Sequence, residues 1–462
     1  MADTWIRATI LGLLIGVSLP VSLRAEESGS GEIEAVVAEG STLSATAESR
    51  SEHAVGVQAF RTVVQEALTD NPGVRKSRAE LTSAMEEKPQ AIAAFLPDLT
   101  MSASKTHART YYDDGHTESD PGVVSLSLSQ TLFSQAAIEA YRLVEPTIAS
   151  AREAVRASEQ SIILSIASAA IGYLQAKEVA DLAENNIRVT QRHLEATEAR
   201  YGVGEITRTD VSQAKARLAA AHAEGIQARN DVDLSRATFL ETAGVTPPES
   251  LTVPDIGSDL VDDSLEDLMR RVEQRPDVQS AIHALRMAET SIDVQWAGHL
   301  PTLSLSGSAG RSWNQRVAGR HDPVDDYSVG VTLSVPVFAG GETVSLTRQA
   351  RADRDAQQAA LDALYRQAAR EIKEAVLNHR SAVASADAFE TAVEANADAM
   401  DGVEQEFQVG TRTALDVLDA QNELFRSQTD LARSRYSVQL ARFSLLSALG
   451  ALSPEALGLP RP

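Results

Sequence analysis

The pattern of apolar and polar positions changes from helical to strand-like and back along the chain. Residues 60–94 place Val64 and Leu68 on one face of a predicted helix, which ends near Pro97. Strict alternation follows in 124–129, where Val and Leu take turns with Ser, as is typical of a strand with one apolar face. The sequence therefore predicts a helix followed by half-apolar strands.

Four strand-like segments occur in two pairs, and polar segments that begin at Asp113 and Gly319 are expected to link the strands of each pair as loops. A sandwich with one solvated face and a membrane barrel both fit the alternation. Four strands cannot close a lipid-facing barrel, so the membrane interpretation requires several chains to share one barrel. The predicted strands are 98–110, 122–133, 301–313 and 327–338.

Two very long segments without glycine–proline breaks follow the strand pairs. They run from Phe133 to Val203 and from Phe338 to Val409, and each would be about 105 Å long if helical throughout. Pro146 is expected to end a short first segment or to kink it. Since Ala, Gln, Arg and Glu dominate these segments, a solvent-exposed coiled coil, as in an adaptor or a filament stalk, is the alternative interpretation.

The second half of the chain repeats the landmarks of the first half in the same order. The offset is 204 residues at the first landmarks, 205 after the strands and 206 in the last helices. Residues 57–255 and 256–456 are therefore predicted to be two copies of one unit, with a tail at 457–462. Matched landmarks include Asn71 and Arg275, Phe95 and His299, Phe133 and Phe338, and Gly244 and Gly450.

Charge and composition narrow the function. The formal net charge of −23 argues against a nucleic-acid partner, because phosphate binding needs clustered basic charge. The chain has no cysteine, which excludes thiolate metal sites and disulfides. An apolar stretch after Arg7 predicts a signal peptide at 1–25 and hence export, and the Gly, Ser and Glu-rich segment 26–56 is expected to be flexible.

Enzyme interpretations find no support in the motifs. No nucleophile-elbow, zinc-protease or phosphate-loop pattern occurs, and the nine histidines are scattered singly. We therefore expect no catalytic residue, no cofactor and no metal site.

The landmarks resemble one family, the TolC-type outer-membrane efflux proteins of Gram-negative bacteria. Segment 409–421 (VGTRTALDVLDAQ) resembles the second periplasmic hairpin of this family, and Tyr201 to Val211 is similar to the first. The Phe-Leu-Pro at 95–97 and the strand end at 335–341 also match, so the resemblance covers about residues 58–456. It implies a mainly α protein with a membrane β-barrel portion, in which three chains share twelve strands and a long periplasmic α-helical barrel.

The resemblance also implies a function and partners. The expected function is a passive outer-membrane exit duct that works with a periplasmic adaptor and an inner-membrane RND pump or ABC exporter. The lipid-anchored branch of the family needs an N-terminal cysteine, so here anchoring would rest on the barrel alone. A soluble periplasmic coiled-coil adaptor is the alternative, and the sequence leaves open whether the cargo is a drug, a metal ion or a protein.

The residues after the two glycine breaks carry the candidate chemistry. Asp210 and Asp416 each follow a threonine, Thr207 or Thr413, by three residues, which fits a capping box at a helix start. Asp419 lies one helical turn beyond Asp416 on the same face. Like charges at that spacing repel each other, so helix capping does not explain the second carboxylate.

The resemblance gives these residues roles at the periplasmic entrance. Asp416 and Asp419 would line the constriction, where threefold symmetry makes two rings of carboxylates that favour cations, and Asp210 belongs to the same gate. Arg412 would hold the entrance closed by pairing with a neighbouring chain, although a solvated surface Arg is the alternative. The family prototype carries Tyr where this chain has Phe407, so one closing bond is absent.

The glycine breaks themselves are the predicted adaptor-docking hairpins, since they lie at the far ends of the long helices. Glycine permits backbone angles there that a β-carbon disfavours. The residues assigned to docking are Gly204, Thr207, Gly410, Thr411 and Thr413.

Overall fold

A computed structural model describes residues 53–257, 264–314 and 323–460. The predicted signal peptide at 1–25 lies outside these residues, as does most of the segment 26–56. Residues 53–56, the end of that segment, are helical.

Two short helices open the first repeat where the sequence predicts one. Helix α1 covers 53–70 and helix α2 covers Pro72–Ala93. They are separate because the Asn71 carboxamide oxygen accepts the Gly73 N–H at 2.8 Å, and Pro72 stands at the first helical position, where a missing N–H costs nothing. The prediction of one continuous helix over 60–94 is therefore wrong.

Helix α3, Gln135–Gly202, runs for 68 residues without a break, which is about 100 Å. Pro146 lies inside it, so the expectation that the helix ends there is wrong. Packing supplies the physical reason: Val144 and Ile148, on either side of the proline, are buried against Ala84 of α2. Tertiary contacts thus outweigh the lost backbone hydrogen bond.

The remaining helices follow the order expected from the repeat. Helices α3 and α4 form one hairpin, helices α7 and α8 form the other, and α3 also packs along α8. The outgoing helices have 36 and 35 residues, which agrees with the spacing from the turns at Gly204 and Gly410 to the landmarks Gly244 and Gly450. The helices are α4 Arg208–Ala243, α5 Leu265–Met269, α6 Pro276–Trp296, α7 Glu342–Gln408 and α8 Ala414–Ala448.

One four-stranded antiparallel sheet joins the two repeats. Its strands are β1 Asp98–Lys105, β4 Gly122–Ser134, β5 Thr302–Trp313 and β6 Val324–Ser334, in the order β1-β4-β5-β6. The predicted pairing of strands within each repeat is confirmed, because β1 pairs with β4 and β5 with β6. Within the described residues, the outer edges of β1 and β6 have no partner strand.

The link between the first two predicted strands is not a loop. Residues 108–119 form a separate two-stranded hairpin, β2 Ala108–Tyr112 and β3 Gly115–Ser119. Ion pairs between Arg109 and Glu118 and between His107 and Asp120 hold its strands together. Opposite charges directly across an antiparallel strand pair stabilise the pair. The polar composition of the segment predicted a loop because it does not show that these charges lie opposite each other. The first predicted strand therefore ends at 105 rather than 110, and the fourth covers Val324–Ser334 rather than 327–338.

The main apolar core lies where α1 and the middle of α3 meet the C-terminal ends of α4 and α8. Phe60 of α1 packs edge-on against Phe443 of α8, with ring centroids 6.3 Å apart, and Ile163 and Ile166 of α3 are fully buried beside them. Helix α3 is long and apolar enough to cross a membrane by length and composition alone. Burial of its isoleucines in this core identifies that stretch as a packing surface between helices.

An ion-pair network around the buried Arg275 fixes the start of α6 against α7 and α8. Arg275 donates to Asp277 and to Glu371, both at 2.8 Å, and to the Ala448 carbonyl at 3.1 Å. Burial alone would raise the pKa of Asp277, but the hydrogen bonds and charge of Arg275 outweigh it and lower that pKa. The second repeat thus uses an arginine where the first uses the Asn71 cap.

Candidate functional site

The first helical hairpin turns at Gly204, between the end of α3 and the start of α4. Gly204 has φ of +82°, in the left-handed region that glycine favours. Its N–H donates to the Tyr201 carbonyl at 3.0 Å, and the Glu205 N–H donates to the Arg200 carbonyl at 3.0 Å. These bonds satisfy carbonyls at the end of α3, which would otherwise lack partners.

The second hairpin repeats this construction at Gly410. Gly410 has φ of +84°, and its N–H donates to the Phe407 carbonyl at 3.1 Å. The Thr411 N–H and hydroxyl both donate to the Glu406 carbonyl, each at 2.9 Å. The predicted need for a glycine at both breaks is therefore confirmed by the backbone angles.

Both outgoing helices begin with a reciprocal capping box, as the sequence predicts. The Asp416 carboxylate accepts the Thr413 N–H at 2.9 Å and the Thr413 hydroxyl at 2.8 Å. Asp210 makes the same two bonds to Thr207, at the same two distances. Both aspartates thus stabilise a helix start, whatever further role they have.

The capping bonds also keep Asp416 ionised. The hydrogen bond from the Thr413 backbone, the bond from its hydroxyl and the nearby charge of Arg412 lower the pKa of this carboxyl below its usual value. One oxygen of the carboxylate accepts both Thr413 bonds, so a negative charge with a second free oxygen is held at the tip of the hairpin.

Asp419 forms a contact that the sequence analysis missed. Its carboxylate accepts a hydrogen bond from Arg217 of α4 at 2.6 Å, and both side chains are about half exposed. The pair joins the first hairpin to the second. Arg217 lies two helical turns beyond Asp210, and no pattern within either hairpin indicates its partner in the other.

Arg412 lies at the turn of the second hairpin and pairs within its own chain. Its Nε donates to the Glu406 carboxylate at 2.8 Å, and both side chains are about half exposed. Glu406 is the last acidic residue of α7 before the turn. Within a single chain, Arg412 therefore pairs with an acidic residue of its own hairpin, Glu406.

Phe407 has a cationic partner in the other hairpin. The guanidinium carbon of Arg200, in the last turn of α3, lies 4.3 Å from the centre of the Phe407 ring. A cation over an aromatic face at this distance is attracted by the ring electrons. The position therefore retains a link between the two hairpins even though Phe407 has no hydroxyl.

A small core and a buried amide hold the hairpins together behind their tips. Leu194 of α3, Val211 of α4 and Leu418 of α8 pack around Ala214. Further along, the Gln421 amide donates to Asn186 at 3.0 Å and to Thr190 at 3.1 Å. These contacts fix the position of α8 against α3 and α4. The residues at the two hairpin tips are therefore held in fixed positions relative to each other.

The tips themselves expose apolar side chains. Val203 and Val409, each next to the turn glycine, are 74% and 76% exposed. Tyr201 is also exposed. Among the described residues, no group of three or more His, Asp or Glu side chains could hold a metal ion.

Comparison with known proteins gives the family. The model of the outer membrane efflux protein family matches residues 63–245 and 270–451, one match for each repeat. The outer membrane protein TolC of Escherichia coli K12 is 28% identical, covering 86% of this chain and 83% of that protein. The alkaline protease secretion protein AprF of Pseudomonas aeruginosa is 26% identical, covering 85% and 84%.

The fold agrees with a solved structure of the same kind. The outer membrane protein VceC of Vibrio cholerae superposes with a TM-score of 0.71 at 24% identity, covering 85% of this chain and 96% of that one. The expected fold class, mainly α with a membrane β portion and an internal repeat, is confirmed. With two family matches that together cover most of its length, the chain belongs to the outer membrane efflux protein family.

Proposed function

We propose that three copies of this chain form one passive export duct, to which each copy contributes four strands of a twelve-stranded barrel. The chain is an outer-membrane export channel that extends into the periplasm, as are its relatives. The observation that carries the trimer is the open sheet, whose two outer strands lack partners within the described residues. Unpaired backbone groups cost several kcal/mol each in hydrocarbon, so further chains must complete the barrel.

The exposed faces of the strands support lipid contact. Leu99 and Met101 of β1 and Val329 and Leu333 of β6 are all more than 60% exposed. Apolar patches of this kind on an isolated chain mark a surface that contacts lipid or another protein. In the proposed trimer these side chains face outer-membrane lipid, while the serines and threonines between them face the lumen.

The helices supply the length of the duct. Helices α3 and α7, with 68 and 67 residues, each extend about 100 Å and end at the hairpin tips. We propose that the tips dock a periplasmic adaptor through the exposed Val203 and Val409 beside the two turn glycines. The adaptor would connect the duct to an inner-membrane RND pump or ABC exporter. Among its relatives, AprF bears the name of a protease secretion protein, and secreted proteins are one proposed cargo class.

The entrance roles of the hairpin residues belong to the same proposal. In a trimer, Asp416 gives a ring of three carboxylates whose lowered pKa keeps it charged, and Asp419 gives a second ring. These rings favour cations at the constriction, and Arg412 restrains the closed entrance. Members of the family are channels, and we propose no enzymatic activity for this chain.

Assembly in the membrane tests the proposed function. The chain should remain in the outer-membrane fraction after a carbonate wash, and the protein extracted in detergent should have the mass of three chains. It should also form conducting pores in a planar bilayer. A monomer that the carbonate wash releases would instead support the soluble coiled-coil adaptor.

A further inference from the structure

The apolar face of the sheet ends in charged side chains. Arg311 of β5 lies opposite Asp325 of β6, and both lie on the same face as Leu333, because side chains alternate along a strand. Lys105, the last residue of β1, belongs to this face as well. Among the described strand positions nearer the helices, this face carries no charged side chain.

These charges lie at the strand ends remote from the helices. Helix α3 starts directly after β4 ends at Ser134, whereas Arg311 lies beside the beginning of β4, opposite Val124. Since the helices extend into the periplasm, this end of the sheet lies at the outer leaflet. A charge on the lipid face is costly at mid-membrane and tolerated near the interfaces. The ion pair therefore lies at the level of the lipid headgroups.

An open groove runs along the face beneath the ion pair. Ala309 of β5 lies between Leu126 of β4 and Tyr327 of β6, so its small side chain leaves a depression between two large ones. Arg311 and Asp325 line the outer end of this groove. Its volume is about 510 Å³, within the range of about 300–1,000 Å³ that is usual for ligand sites. The groove is thus apolar along its length and charged at one end.

Arg311 keeps hydrogen-bond donors for a ligand although it is paired. Its Nε and Nη2 donate to the two carboxylate oxygens of Asp325, at 2.7 and 3.1 Å, which orients the guanidinium group. Its Nη1 has no partner among the described residues, and neither does the Lys105 ammonium group. Two cations against one carboxylate make this end of the face cationic in a chain whose formal net charge is −23.

We propose that the groove binds lipopolysaccharide of the outer leaflet, with one acyl chain along Ala309 and the lipid A phosphates on Arg311 and Lys105. This inference rests on the barrel proposed above and names a lipid that its outer face binds. Arg311 and Lys105 stand on strands that are two strand spacings apart, about 10 Å across the sheet. A headgroup with a phosphate at each end of a disaccharide can contact both cations, whereas a glycerophospholipid offers one phosphate.

Lipid binding to the full-length protein in detergent tests the site. The probes are diphosphoryl lipid A, its dephosphorylated form and phosphatidylglycerol, each titrated onto delipidated protein and counted per chain by native mass spectrometry. Diphosphoryl lipid A should bind about tenfold more tightly than either other lipid, because each lost charge-assisted hydrogen bond weakens binding by about this factor. Inorganic phosphate should not displace it, since phosphate has no chain for the groove.

Two variants examine the two parts of the site separately. Arg311→Gln/Asp325→Asn removes the charges without leaving an unpaired carboxylate, and it should weaken the binding of diphosphoryl lipid A about tenfold. Ala309→Leu fills the groove with the charges intact and should also weaken binding. The matched control is Arg109→Gln/Glu118→Gln, which removes a cross-strand ion pair of the β2–β3 hairpin and should bind as the wild type does.

Four results would overturn the proposal. They are equal binding by the control and both site variants, equal affinity for the dephosphorylated lipid, equal affinity for phosphatidylglycerol, and displacement by inorganic phosphate. The test is independent of the assembly, because binding is counted per chain. If the extracted protein has the mass of one chain and still binds diphosphoryl lipid A selectively, the trimer is wrong while the lipid site stands.

Discussion

Arg217 of the first hairpin donates to Asp419 of the second at 2.6 Å, so one of the two predicted entrance carboxylates is paired with a cation of its own chain. An exposed pair of this kind contributes only about 0.2–1 kcal/mol, which permits it to form and break. While the pair is formed, the charge of Asp419 is compensated within its own chain. Breaking it would release the charge of Asp419.

The first prediction concerns this pair. Arg217→Gln should increase the cation preference of the channel, because three carboxylates per proposed trimer lose their partners, while thermal stability changes by less than about 1 kcal/mol. The reversal potential in a salt gradient across a planar bilayer measures the preference. Arg229→Gln is the matched control, since it removes an exposed cation of α4 that pairs with Glu184 at 3.8 Å. Equal reversal potentials for the two variants would contradict the prediction.

The second prediction separates charge from capping at Asp416. Asp416→Asn keeps an oxygen that can accept the Thr413 bonds but removes the charge, so cation preference should fall while the helix start survives. Asp416→Ala should lose both. The pKa of Asp416 is lowered, so its contribution to stability is present above the usual value of 3.8 and lost only as the pH falls through the lower folded value. Block by polyvalent cations should accordingly survive acidification to pH 3.8.

Asp210→Asn compares the two hairpins in the same experiment, because Asp210 is also assigned to the gate. It removes the charge from the equivalent capping box in the first hairpin, where Gln213 stands at the position of Asp419. A channel whose selectivity responds equally to both substitutions would show that the second hairpin has no special role.

The third prediction concerns closure of the entrance. Arg412→Ser should raise single-channel conductance, because the acidic groups that Arg412 holds together would repel one another. Within the chain, Arg412 pairs with the Glu406 carboxylate at 2.8 Å, so a control variant should also remove an arginine that pairs with a glutamate of its own chain. Arg426→Ser, which removes an exposed cation further along α8 that pairs with Glu423 at 3.4 Å, is the control and should leave conductance unchanged. Unchanged conductance in Arg412→Ser would leave this residue as a surface charge.

The fourth prediction concerns the lipid face of the strands. Leu126→Arg or Leu333→Arg should cost about 2–4 kcal/mol and reduce the yield of assembled trimer, because each puts a charge into hydrocarbon near mid-membrane. Gel mobility without heating measures the trimer that forms. Ser127→Arg, on the opposite face of β4, should assemble normally. Normal yield in all three variants would argue against the membrane strands.

The fifth prediction concerns the hairpin turns. Gly204→Leu or Gly410→Leu should abolish export but leave the trimer intact, because left-handed backbone angles cost an L-residue about 1–2 kcal/mol and the turn must change shape. Gly202→Leu is the control, since Gly202 is helical and a β-carbon there meets open space. Secretion or drug export in intact cells is the measurement. Export that persists with both turns replaced would exclude them as the docking site.

Periodicity and the repeat predicted much of the fold. The glycine landmarks gave the two hairpins and the lengths of α4 and α8, because few sequences other than a helix pair produce such long unbroken segments between turns. Predictions of secondary structure from the local sequence were wrong where contacts between residues distant in the sequence or across strands determine the structure. Pro146 stays inside α3 because Val144 and Ile148, on either side of it, pack against α2. Residues 108–119 pair as a hairpin through charged side chains, a composition that by itself predicts a loop.

Only part of the candidate site could be predicted from the sequence. Both capping boxes followed from a threonine and an aspartate three residues apart, since that motif is local. The contacts Arg217–Asp419 and Arg200–Phe407 join residues about 200 positions apart, and no pattern within either hairpin indicates them. Such contacts depend on how one helical hairpin packs against the other.

The pairing of strands within each repeat gives the proposed trimer two different symmetries along its axis. At the membrane, each chain contributes two nearly equivalent strand pairs, β1–β4 and β5–β6, so three chains would build a wall with pseudo-sixfold symmetry. At the entrance, the first hairpin has Ile206 and Gln213 where the second has Arg412 and Asp419, so only threefold symmetry remains. A cargo molecule in the proposed duct would therefore meet each charged contact of the second hairpin three times at the entrance, and nearly equivalent strand pairs six times at the membrane.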